Sequence, residues 1–329
     1  MKKNRVWYFL RIFVSIGVIV SLFWLIDIDK IPKIENIKVS LVVVVFIIAL
    51  FDRLVNAYKW SFLVRAAGLK ISFKQLLKIY FTSGFIGLAL PSGVGGELLK
   101  GYGLAKTTSK AIDSASSVIV GRVTGLLGLT ILCVAGYFAA GAELRSTSVI
   151  FMVKNISLLI LVITISTVII GFSLPKSYVV AKKGDGKVLG FVRKVMRSFY
   201  QYRKEKNGLA LAMLLSVFIH VIRAVGVCVA GLSVGISLEF LYYLIFVPFI
   251  QLGGMVPITM GGMGVKEGVA VYLFSLVGVE GASALSMYII VRVMAIASVG
   301  PGGWIYFKSG LTVEGPSHTS RDTVKSDAR

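Results

Sequence analysis

"VPITMGGMGVKEG", residues 256–268, splits an apolar run in the middle. A proline and four glycines break any helix there, and Lys266 and Glu267 stand side by side at a depth where lipid is expected. Backbone broken inside a bilayer is tolerated only where protein or a water-filled cavity surrounds it. The stretch is therefore read as the tip of an interrupted hairpin facing the interior of the molecule.

The composition places that hairpin in a membrane. Of 329 residues, 56% are hydrophobic and only 16% charged, and the mean hydropathy is +0.85, far from soluble-globular usage. The formal charge of +21 reads as orientation signal and headgroup contact, with no nucleic-acid partner. Cys133 and Cys228 both lie in apolar runs, which argues against a disulfide framework or a cysteine zinc site, and two histidines do not supply a metal centre. The basic head and bulky apolar stretch at the N-terminus, near 6–26, read as a retained first helix because no small-residue cleavage site follows.

Six windows are long enough to cross roughly 30 Å of hydrocarbon, near 6–26, 40–63, 112–141, 149–171, 208–232 and 283–307. Two further stretches, 75–105 and 239–278, are interrupted by Pro and Gly. Residues 172–207 carry ten Lys or Arg against two acids and residues 59–78 five against none, so both are expected on the side of Lys2, Lys3 and Arg5. That balance holds only if 75–105 dips in and returns to its own side. The expected fold is thus an all-α polytopic membrane protein with about six full transmembrane helices and two re-entrant broken hairpins. Both termini lie in the cytosol, and the location is the plasma (inner) membrane.

A partner for the opening stretch occurs earlier in the chain. "PSGVGGELLKGY" from Pro91 and "PITMGGMGVKEG" from Pro257 share Pro-x-x-x-Gly-Gly followed by a Glu and a Lys. Upstream of each lies a helix with an intramembrane arginine, Arg53 or Arg223, and downstream another, Arg122 or Arg292. The unit therefore occurs twice, at about 40–141 and about 208–307, joined by a linking helix at 149–171 and a cytosolic basic loop at 172–207. The hairpins enter from opposite sides, so the copies form an inverted repeat of the kind that encloses a midplane site in transporters. The integral membrane domain runs over 1–309, and the polar tail 310–329 is expected to be disordered.

A charge in mid-span costs at least about 2.5–3.5 kcal/mol unless paired or hydrated. Arg122 and Arg292 are accordingly expected to face the interior. With Arg53 and Arg223 they would bind a lipid phosphate or pair with Glu97 and Glu267, the structural alternative being carbonyls freed at the broken helices. Asp52 beside Arg53 is expected to form a local or interhelical ion pair. Half-helices starting after Gly-Gly would point N–H groups at an anion, with glycine allowing close approach. The candidate substrate-binding set is therefore Pro91, Gly95, Gly96, Glu97, Lys100, Arg122, Arg223, Pro257, Gly261, Gly262, Lys266, Glu267 and Arg292.

No nucleotide cradle, nucleophile elbow or zinc motif is present in the sequence, so no cofactor is expected and transport is favoured over catalysis. "PSGVGGELLKGYGLA" (91–105), "VPITMGGMGVKEGVAVYLF" (256–274) and the arginine helix after each resemble the membrane region of lysylphosphatidylglycerol synthase, the flippase-like domain family. The similar span pattern extends over roughly 1–307. In two-domain members this region is held to move an aminoacylated phospholipid between leaflets while a soluble domain performs synthesis. The resemblance implies a stand-alone lipid translocase for a phosphate-bearing or polyprenyl-linked lipid, its partners being anionic membrane lipids. Two alternatives stay open. One is a membrane-embedded lipid-linked transferase with Glu97 or Glu267 as general base. The other is a non-catalytic subunit of a lipid or cell-envelope biosynthesis complex. A homo-oligomer or an envelope-biosynthesis partner fits either case.

Overall fold

The first described helix, α1 (Val39–Ala66), shows how an apolar sequence divides its faces. Val39, Val43, Ile47, Phe51, Leu54 and Tyr58 form an exposed stripe, whereas Val45, Asp52 and Lys59 are buried on another face. The three- and four-residue spacing of the stripe keeps it on one side of the helix, as suits contact with acyl chains. The structure is a computed structural model and describes residues 37–88, 90, 95–146, 148–173, 193, 202, 205–255, 259 and 262–309. Among the described residues the regular structure is helical, with no strand.

After α1 come α2 (Phe73–Leu88), α3 (Gly95–Thr108), α4 (Ala111–Ala139), the short α5 (Ala142–Ser146) and α6 (Ser148–Ser173). The second half contains α7 (Lys206–Ser233), α8 (Phe240–Gly253), α9 (Val265–Ser275), α10 (Gly281–Ala297) and α11 (Gly300–Ser309). Five stretches are long and apolar enough to cross a membrane: Val39–Ala66, Ala111–Ala139, Ile150–Ile170, Asn207–Ser233 and Gly281–Lys308. They coincide with the last five windows expected from hydropathy, and the chain is a multi-pass membrane protein. The window at 6–26 and the tail 310–329 lie outside the described residues, as does almost all of the basic loop 172–207.

Two details differ from the sequence expectation. The last window is not one straight helix, because a turn at Ser298 and Val299 separates α10 from α11. Pro301 follows that turn, where its missing N–H is tolerated at a helix start. Lys59, counted above among the loop cations, lies inside α1 and is buried, because that helix continues to Ala66.

Both interrupted stretches are helix–break–helix: α2 then α3, and α8 then α9. At the first break the arms touch backbone to backbone. A methyl group on Gly87 would stand 2.8 Å from the Gly96 Cα, so no larger residue fits without splaying α2 from α3.

The halves meet along α1 and α7, which run antiparallel over their whole length. Lys38 at the start of α1 donates its N–H to the Ser233 carbonyl at the end of α7 (3.0 Å). At the other end, Gly208 lies against Ala66. Contacts between the halves are also exchanged reciprocally. Gly136 of α4 packs on Ile245 of α8, while Val299, just before α11, packs on Gly84 of α2. Each half's last helix thus supports the other half's broken hairpin. This is the packing expected if two equivalent units are related by inversion.

The hydrophobic interior is divided accordingly. One core gathers Leu129 and Cys133 of α4 with Ala224, Phe246, Phe249 and Phe274. The other gathers Trp60, Leu63, Leu76, Ile79 and Leu104. Linking helix α6 contributes little to either, and its Leu159, Val162 and Ile163 are exposed apolar residues.

Candidate functional site

Glu97 and Glu267 are each the third residue of their half-helix, α3 and α9. A carboxylate in the first turn is favoured by the positive helix end. Each meets the arginine 25 residues further on: Arg122 donates to Glu97 at 2.8 Å, and Arg292 pairs with Glu267. The interval from Arg53 to Arg223 equals that from Glu97 to Glu267 and from Arg122 to Arg292. The repeat thus preserves a carboxylate–arginine pair as well as the Pro and Gly of the break.

The two pairs are not equally enclosed. Side-chain exposure is 52% and 32% for Arg122 and Glu97, against 25% and 7% for Arg292 and Glu267. Glu267 is further engaged, because its second oxygen accepts the Gly264 N–H at 2.8 Å. Arg292 also donates to the Gly262 carbonyl (3.3 Å). The anion site expected at the start of α9 is therefore partly filled by the protein's own carboxylate.

Of the local and interhelical alternatives for Asp52, the interhelical ion pair is the one formed. Adjacent helical residues point about 100° apart and do not face each other. Asp52 instead accepts from Arg223 of α7 at 2.9 Å, and Arg223 also donates to Gln251 at 2.9 Å. Arg53 turns toward α10, donating to the Ser298 hydroxyl and the Ala295 carbonyl, both at 3.3 Å. Glu267 faces Arg292, as one of the sequence alternatives had it, and not its neighbour Lys266.

Between the halves lies a cavity of about 670 Å³. Its charged lining comprises Asp52 and Arg53 of α1, Glu97 and Lys100 of α3, Arg223 of α7, Lys266 and Glu267 of α9, and Arg292 of α10. Val45, Ile48, Val227, Val247 and Ile250 supply an apolar wall. Lys100 lies over the Tyr80 ring, its Nζ 4.6 Å from the centroid, and Gly96 lines the space beside it. Lys266 reaches the cavity past two glycines. A methyl group on Gly254 would overlap the Lys266 stem, and one on Gly262, at φ +74°, would stand 2.9 Å from the Gly254 carbonyl. Arg122, Gly95 and Gly262 are not among the lining residues, and Arg122 meets the site through Glu97. Pro91, Pro257 and Gly261 lie outside the described residues.

The family model described as Lysylphosphatidylglycerol synthase TM region matches residues 8–302. The chain belongs to that family. It is 23% identical over 313 residues to a UPF0104 membrane protein of Pyrococcus horikoshii, a match covering 87% of this chain and 92% of the relative. A UPF0104 membrane protein of Methanothermobacter thermautotrophicus is 21% identical over 313 residues, covering 86% and 89%. Membership of the Lysylphosphatidylglycerol synthase TM region family relates this membrane protein to lipid handling.

For a member of this family, the structure adds polar residues that sequence reasoning passed over. Gln251 and Asn56 line the cavity. Gln251 was visible as the lone amide at the end of "FLYYLIFVPFIQLGG", and Asn56 follows Asp52 by one helical turn and donates to its carbonyl at 2.9 Å. Next to the cavity, Lys59 donates to the Ser216 hydroxyl (3.3 Å) and His220 Nε2 contacts the Gly125 carbonyl (3.1 Å). Lys59 is buried without a carboxylate among the described residues, and nothing local in "NAYKWSF" signals it.

Proposed function

We propose that this protein moves a phosphate-bearing or polyprenyl-linked lipid between leaflets, with the two halves opening the cavity alternately to either side of the plasma membrane. The supporting observation is the cavity between the halves, beside the antiparallel α1–α7 seam, lined by Arg53, Lys100 and Lys266, none of which has a carboxylate partner among the described residues. Fixed cations at membrane depth are costly, and an anionic headgroup offsets that cost while its chain lies along the apolar wall. The two broken stretches act as re-entrant fingers at the site, entering from opposite faces. Both termini and the basic loop 172–207 sit in the cytosol, where anionic headgroups hold the loop.

A transferase reading asks Glu97 or Glu267 to act as general base. Each already accepts an arginine, and Glu267 a backbone N–H as well, so these carboxylate oxygens are engaged by the protein itself.

The test is reconstitution of the full chain in vesicles, following movement of labelled polyprenyl phosphate and labelled phosphatidylglycerol. Movement of either lipid, lost in the Arg53→Ala and Lys266→Ala proteins, is the expected outcome. Vesicles in which neither lipid moves faster than in protein-free controls would overturn the proposal.

A further inference from the structure

Charge at the cavity is unevenly matched. The carboxylates of Asp52, Glu97 and Glu267 are each taken by one guanidinium, from Arg223, Arg122 and Arg292. Those six groups sum to zero. Among the described residues lining the cavity, Arg53, Lys100 and Lys266 remain without a carboxylate, three cations on three helices drawn from both halves.

Their immediate partners are neutral: a hydroxyl and a carbonyl for Arg53, and the Tyr80 and Trp60 ring faces for Lys100. Lys266 threads between glycines. The segments joining the hairpin arms, 91–94 and 256–261, contain no acidic residue in the sequence.

A phosphodiester headgroup brings one negative charge to this site and has substituents on two sides of phosphorus. A terminal phosphate carries about −1.5 to −2 near neutral pH and offers three acceptor oxygens, its second proton leaving near pH 6. A diphosphate carries at least as much. Coulomb interaction strengthens where water is displaced by protein and lipid, so the ligand that matches more of the surplus charge is preferred. Approach from three different helices likewise suits a group with three free oxygens.

We infer that the cavity selects a terminal, multiply charged phosphate, as a phosphate monoester or a diphosphate on a lipid chain, over a phosphodiester headgroup. The inference rests on the proposed function for the location of the lipid and adds the charge state of its head. Arg53, Lys100 and Lys266 set that selectivity, while the three carboxylate–arginine pairs hold the walls.

The test is binding to the purified full chain in nanodiscs of zwitterionic lipid, using farnesyl phosphate, its methyl ester and inorganic pyrophosphate. Near about pH 7.5 the monoester should bind at least about tenfold tighter than the methyl ester, and the preference should shrink toward about pH 5 as the second phosphate charge is neutralised. Lys100→Gln and Lys266→Gln should each lower the preference at least about threefold, with Lys100→Arg restoring it, in proteins shown to melt as wild type. Equal affinity for monoester and methyl ester, or a preference unchanged by pH, overturns this inference and leaves lipid translocation standing. Failure of both lipids to bind overturns the two together. Pyrophosphate binding as tightly as farnesyl phosphate upholds the charge selectivity and overturns a lipid as its source.

Discussion

Glu97 and Glu267 hold equivalent places in the two half-helices, yet their surroundings set different energetic roles. Glu267 is 7% exposed and holds both the Arg292 guanidinium and the Gly264 N–H, whereas Glu97 is 32% exposed and its partner Arg122 52%. Removing one charge from an enclosed pair strands the other, at about 3–5 kcal/mol, while exposed pairs contribute about 0–1 kcal/mol. Glu267→Gln should therefore destabilise the protein by about 3 kcal/mol and Glu97→Gln by less than about 1 kcal/mol. Chemical unfolding in detergent measures both. Similar losses for the two variants would mean that the exposure difference does not govern the pairs.

At the scale of the elements, the glycines of α2 and α3 divide into those that permit contact and those that merely occupy a helix. A Cβ on Gly87 of α2 would stand 2.8 Å from the Gly96 Cα of α3, whereas a Cβ on Gly101 would make an ordinary 3.6 Å contact with Val118. Gly87→Ala should force α2 and α3 apart at about 1–3 kcal/mol, with the proposed lipid movement falling as the hairpin widens. Gly101→Ala should be neutral or stabilising by up to about 1 kcal/mol, because alanine loses less backbone entropy in a helix. Melting temperatures of the two single variants provide the comparison, and a Gly87→Ala protein as stable as wild type would contradict the close-contact account.

Across the whole molecule, Asp52 and Arg223 tie one half to the other at the α1–α7 seam. Neither belongs to a broken hairpin, so their contribution is separable from the tips. In a double-mutant cycle of Asp52→Asn and Arg223→Gln, the double variant should be more stable than the sum of the single losses by about 1–3 kcal/mol. A coupling energy below about 0.5 kcal/mol would show the two to be independent despite their 2.9 Å contact. Because this seam must shear or rock if the halves alternate, the same variants should change transport more than lipid binding.

Local chemistry determined a good part of this protein in advance. Long apolar windows mark spans, and Pro with clustered Gly marks where a helix cannot continue, as at 256–268. The recurrence of Glu and Arg around both breaks made the repeat and most of the charged cavity lining visible from Arg53 to Arg292. Which arginine answers which carboxylate was decided by tertiary structure alone, because it depends on helix rotation and on the antiparallel register of α1 against α7. That register takes Asp52 from its neighbour Arg53 and gives it to Arg223, buries Lys59 beside Ser216, and brings Gln251 to the site. The surplus of cations at the cavity follows from those same pairings. Sequence spacing shows that charges are present but not which of them the fold neutralises.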